Sequence, residues 1–135
     1  MRLAICYVSN SSLELSAAQI QELLSETQYL NNKNDIKGLL LFSDGNFFQV
    51  IEGETAKVNN LWQKIKKDDR HKSIIKIFEE KITTPPFDGF LCDYISEEEK
   101  YQFDNLKRIF DQLKSLDDKP RDTAQEVLKL FLKCQ

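Results

Sequence analysis

Two apolar runs joined by Asp44-Gly45 constrain this chain more than any other feature. Ile36 to Phe42 and Asn46 to Gly53 are each long enough for a strand. The dipeptide between them accepts positive φ at both positions, as a tight hairpin requires. The second run carries a lone carboxamide within Phe47-Phe48-Gln49-Val50-Ile51. In extended backbone Phe47, Gln49 and Ile51 point to one side, and Phe48 and Val50 to the other. Both sides are apolar, so Gln49 is expected to sit out of water. A buried amide without a partner costs about 1–3 kcal/mol. Because a carboxamide donates twice and accepts twice, Gln49 suits a planar polar ligand held in an apolar pocket.

Around this hairpin the hydrophobic period alternates between two and 3.6 residues. Residues 2–9 read as a strand, with Leu3, Ile5 and Tyr7 on one face and Ala4, Cys6 and Val8 on the other. Ser16 offers an N-cap to a helix marked by Ile20, Leu23, Leu24 and Thr27, which the polar stretch from Asn31 to Asp35 ends. Val58, Leu61, Trp62 and Ile65 mark a second helix. Ser73 to Ile82 reads as a fourth strand, with Ile75, Ile77 and Glu79 opposite Ile74, Lys76 and Phe78. Pro85-Pro86 breaks it, and Phe87 to Tyr94 reads as a short fifth strand. The fold class expected from this order is α+β, a ferredoxin-like βαββαβ(β) sandwich with two helices packed on the sheet. Phe103, Leu106, Phe110 and Leu113, then Ala124, Val127, Leu128 and Phe131, predict a C-terminal helical appendix interrupted at Pro120.

Bulk properties narrow the function classes. A chain of 135 residues fits a single core, divided here into 1–94 and a helical extension over 95–135. The net charge of −3 argues against nucleic acid, which needs a basic excess. Lys64, Lys66 and Lys67 are followed at once by Asp68 and Asp69 and read as a solvated helix face. No run approaches the roughly 18–20 apolar residues of a membrane span, and none resembles a signal peptide. Cys6, Cys92 and Cys134 lack metal-ligand spacing and read as free thiols in a reducing cytoplasm. With His71 the only histidine, neither a metal site nor a Ser/His relay is expected.

Three polar residues stand where apolar ones would cost less: Tyr7, Asn31 and Gln49. Together with ICYVS, LLSETQYLNN, IKGLLLFSDGNFFQVIEGE and IKKDDRHKS, in that order and spacing, they resemble the BLUF domain, a flavin-binding blue-light sensor. The resemblance covers residues 1–94. It implies a non-covalent flavin, FAD by family habit with FMN or riboflavin as alternatives, held between the two helices. It implies that Asn31 and Gln49 bond the polar edge of the ring and that Tyr7 bonds Gln49. Leu23 and Ile65 would flank the ring, with Thr27 one turn further along, and Asp68 and His71 would lie toward the ribityl and phosphate end. By the family mechanism, light moves an electron and a proton from Tyr7 and back, leaving the Gln49 amide rearranged.

The helical appendix is too short for an effector enzyme, so a sensor acting on a downstream effector protein is expected rather than an enzyme. The apolar stripes of the C-terminal helices are expected to pack on the sheet or to form a homo-oligomer. Phe90 and Cys92 stand where the family often has Trp and Met, and Lys37 where Thr is common. These departures are the support for an alternative, a degenerate flavin-free BLUF-like module for protein interaction. A flavin enzyme is a third reading, against which the chain offers no acid–base pair placed for a substrate.

Overall fold

The computed structural model describes residues 1–11, 14–43, 45–82, 122–123 and 125–127, and the backbone of 90–94. The chain order is β1 (Arg2–Ser11), α1 (Ala17–Lys33), β2 (Lys37–Ser43), β3 (Asn46–Glu54), α2 (Thr55–Lys67), β4 (His71–Ile82) and β5 (Phe90–Tyr94). The sheet order is β4-β1-β3-β2-β5. Neighbours among the first four of these strands are antiparallel, and β5 adds in parallel beside β2. This is the ferredoxin-like arrangement expected from the element order. The appendix helices expected over 103–113 and 124–131 lie outside the described residues, apart from short helical stretches at 122–123 and 125–127.

Local chemistry accounts for each element. Ser16 caps α1 reciprocally: Gln19 N–H donates to Ser16 Oγ (3.2 Å), while Ser16 N–H donates to Gln19 Oε1 (2.9 Å). The Ile36 N–H donates to the Asn31 carbonyl (2.8 Å), turning the end of α1 into β2. Ser43 pairs with Asn46, so two residues close the hairpin; Asp44 lies outside the described residues, and Gly45 has φ of 80°. Gly38 has φ of 138°, and a Cβ there would lie 1.9 Å from the Val50 carbonyl oxygen. Only glycine lets β2 approach β3 this closely.

The period-two alternation gives the sheet two distinct faces. On the helix side, Leu3, Ile5, Tyr7, Leu40, Phe47 and Ile51 pack with Ile20 and Leu24 of α1 and Val58, Trp62 and Ile65 of α2. On the far side, Ala4, Cys6, Leu39, Leu41, Phe48 and Val50 form a second cluster with Phe78 and Ile82, and Val127 packs against it. Both faces of β3 are therefore covered, as its sequence predicts. One polar pair joins the far side: fully buried Glu52 accepts from Arg2 Nε (2.6 Å) and Nη2 (3.0 Å).

The alternation expected in β4 does not hold. Ile74 packs on the helix-side cluster and Ile77 and Phe78 on the far-side cluster, while Ile75 is exposed. The β1–β4 register shifts between Cys6 and Tyr7 and again between Val8 and Asn10, each time with an extra residue on β4. Each extra residue moves the following side chains to the opposite face. Elsewhere the ladder is regular, and Tyr7, Gln49, Leu40 and Cys92 stand side by side across β1, β3, β2 and β5.

Candidate functional site

A cavity of about 370 Å³ opens between α1, α2 and the helix side of the sheet, within the roughly 300–1,000 Å³ of small-molecule sites. Tyr7 and Gln49 form its floor; Leu23, Thr27 and Asn31 line it from α1, and Ile65 from α2. Asp68 and His71 stand at its wall, so all eight residues singled out in the sequence meet at one place. Phe47, Leu40 and Leu61 supply further apolar lining, and Glu26, Lys64 and Arg70 bring charge.

The polar groups are unevenly paired. Tyr7 and Gln49 are direct partners across β1 and β3, and the Tyr7 hydroxyl donates to Gln49 Oε1. Both side chains are almost fully buried, as is Asn31. Among the described residues the Gln49 amide nitrogen and the Asn31 side chain have no hydrogen-bond partner, yet no fully enclosed polar side-chain atom lacks one. Their free donors and acceptors are therefore those that open on the cavity. Two carboxamides open to a cleft of mixed apolar and polar lining fit a planar ligand with alternating carbonyls and ring nitrogens. The carboxamide donors and acceptors and the apolar side chains of Leu23 and Ile65 suit a flavin ring.

Burial pushes the Tyr7 hydroxyl well above its ordinary range, so it stays protonated beside Gln49. Its ring meets Trp62 at 5.4 Å (55°) and His71 edge-on at 5.9 Å (66°). Asp68 ends α2 and takes a fork from Arg70, whose Nη2 donates to Oδ2 at 2.7 Å and whose backbone N–H donates to Oδ1 at 2.9 Å. That fork holds the Asp68 carboxyl below the usual carboxylate range. His71 spends both ring nitrogens on protein groups, Ser9 Oγ (3.0 Å) and the Ile65 carbonyl (2.9 Å).

Sequence reading passed over Ser9, Arg70 and the contact between Trp62 and Tyr7. Ser9 had a usable signal, since it lies two residues beyond Tyr7 and so faces the same way. The others had none, because they depend on where α2 and the start of β4 lie against β1. Among the described residues no group of three His, Cys, Asp or Glu is placed to hold a metal, and no helix is long and apolar enough to cross a membrane.

The profile of a family described as BLUF, sensors of blue-light using FAD, matches residues 3–93. The chain belongs to the BLUF family. BLUF domains are flavin-binding blue-light sensors, and a single such domain is a sensor module. The blue light- and temperature-regulated antirepressor BluF of Escherichia coli K12 is 29% identical over 94 residues, which is 70% of this chain and 20% of that protein. This BLUF chain thus spans about a fifth of that relative's length. A bacterial light-regulated adenylyl cyclase aligns with a TM-score of 0.68 at 30% identity, over 96% of this chain and 36% of the cyclase chain. BlsA in its photo-activated state aligns with a TM-score of 0.66 at 26% identity, over 100% of this chain and 97% of its own.

Proposed function

We propose that this chain is a blue-light photoreceptor in which the Tyr7–Gln49 pair is the switch, with residues 1–94 as the sensing unit. The observation that carries the reading is the Tyr7 hydroxyl donating to Gln49 at the floor of a cavity where the Gln49 donor and the Asn31 amide face the ligand space. A bound flavin, FAD in this reading, would be held by these residues and would supply the absorption of blue light and an acceptor for one electron and one proton. Asn31 and Gln49 would hold the polar edge of the ring, Leu23 and Ile65 would flank it, and Thr27 would close the α1 side. The charged tail would pass Asp68, Arg70 and Lys64 at the opening. Tyr7 is protonated and hydrogen-bonded, so it can release an electron and a proton together and recover both. Gln49 then settles with its amide rotated or in the other tautomer, and the hydrogen bonds it offers are changed.

Output requires an element that responds to this change. Cys92 of β5 stands in lateral register with Gln49 through Leu40. Phe48 and Val50, the neighbours of Gln49 in the chain, face the cluster that Val127 joins. Both routes support signalling through β5 and the C-terminal segment to an effector protein in the cytoplasm, without catalysis by this domain. The homo-oligomer expected through that segment is part of the same reading.

The test is the absorption spectrum of protein reconstituted with FAD, before and after blue light. A reversible red shift is expected, and Gln49→Leu is expected to keep the flavin and lose the shift. A folded protein that takes up no flavin would favour the interaction module instead, and an unchanged photocycle in Gln49→Leu would remove Gln49 from the switch.

A further inference from the structure

Ser9 is buried on β1, two residues beyond Tyr7 and on the same face. Its Oγ lies 3.0 Å from Nδ1 of His71, the first residue of β4. The other ring nitrogen, Nε2, lies 2.9 Å from the carbonyl oxygen of Ile65 near the end of α2. A carbonyl can only accept, so Nε2 carries the proton. In the neutral ring Nδ1 is then an acceptor, and the Ser9 hydroxyl must donate to it. Two separate elements thus impose one tautomer and one orientation on His71. Held this way, the ring meets Tyr7 at 5.9 Å and Phe47 at 5.9 Å, both edge-on.

The sheet by itself does not fix Tyr7 on this side. The β1–β4 register shifts immediately before Tyr7 and again after Val8, and the residue opposite Tyr7 is Lys76. Regular cross-strand packing, which normally sets a side chain's position, is interrupted there. Pairing resumes at Asn10–Lys72, and His71 follows opposite Ser11, with its ring reaching back to Tyr7.

We infer that His71 is a positioning residue for the Tyr7–Gln49 switch. Pinned by Ser9 and the Ile65 carbonyl, it fixes the Tyr7 ring and ties it to α2, the helix that brings Ile65 to the cavity. The inference rests on the photoreceptor reading above and assigns His71 a task other than bonding the flavin tail.

The experiment compares full-length, FAD-loaded wild type with Ser9→Ala, His71→Phe and His71→Gln, measuring the yield of red-shifted state per absorbed photon. Ser9→Ala and His71→Phe are expected to bind flavin and to lose about three- to tenfold in yield, the fold-change of one ordinary hydrogen bond. The carboxamide of His71→Gln again offers an acceptor toward Ser9 and a donor toward Ile65, so it is expected to recover most of what His71→Phe loses. In the dark state, ¹⁵N shifts of the His71 ring are expected to show a protonated Nε2 and a hydrogen-bond-accepting Nδ1. Wild-type yield in both Ser9→Ala and His71→Phe overturns the inference, as does a His71→Gln yield no better than that of His71→Phe. Flavin-loaded wild type without any red shift overturns the photoreceptor reading, and this inference with it.

Discussion

The two faces of the same strands have opposite characters. On the far side, Ala4, Cys6, Leu41, Phe48 and Val50 close against one another, and the buried carboxylate of Glu52 is met by a forked Arg2. On the helix side, Tyr7, Ser9 and Gln49 come from the same strands, but packing stops short and leaves a cavity with carboxamide groups open to it. One face is filled and serves stability. The other keeps polar groups partly unpaired, which costs stability but gives a ligand something to bind.

This contrast can be broken from either side. The largest effect is expected from Phe48→Ala, which empties a fully buried far-side site and should cost about 3–5 kcal/mol in denaturant unfolding. A cost near that of a surface change would mean the far face is not the stabilising one. Glu52→Gln comes next. Removing one member of a buried pair costs about 3–5 kcal/mol when the other is stranded. Arg2 is 28% exposed and can turn to water, so about 2 kcal/mol is expected.

Tyr7→Phe on the helix side removes one hydrogen bond beside a cavity and should change stability by only about 1 kcal/mol, while abolishing the light-induced red shift. Full retention of the shift would separate Tyr7 from the photochemistry. The smallest effect at neutral pH compares the faces through titration. Burial pushes up both the Cys6 thiol on the far side and the Tyr7 hydroxyl on the helix side. Their contributions are complete below the unfolded values, about 8.5 and 10, and are lost as pH rises beyond these toward the folded values. The melting temperature should therefore fall above about pH 8.5, with Cys6→Val flattening the earlier part and Tyr7→Phe the later. A melting temperature that stays level to about pH 11 would show that neither group is shielded as described.

Much of the fold is legible in the sequence because it depends on local rules. The Ser16 cap, the two helical stripes, the Asp44-Gly45 turn and the alternation in β1 and β3 each follow from neighbouring residues. The β4 alternation was not legible, since its bulges arise from pairing with β1 and leave Ile75 exposed while Phe78 is buried. The site divides in the same way. Tyr7 and Gln49 stand out because each is polar within an apolar strand, and the resemblance to BLUF domains adds Asn31 from the polar end of α1 and ties all three to one ligand. Arg70 does not stand out, because a charged side chain near an element end is ordinary, and nothing local in the sequence pairs Ser9 with His71, 62 positions away.

The sequence by itself determined which residues share a face in β1, β3 and the two helices, and that Tyr7 and Gln49 would be drawn out of water, since backbone periodicity fixes the first and transfer energetics the second. Only the tertiary structure decided that Ser9, Ile65 and His71 meet around Tyr7. These residues come from β1, α2 and β4, up to 62 positions apart, and their meeting depends on β4 pairing beside β1 and on where α2 ends. Such distances close only when the whole sheet has formed, so no local pattern records them.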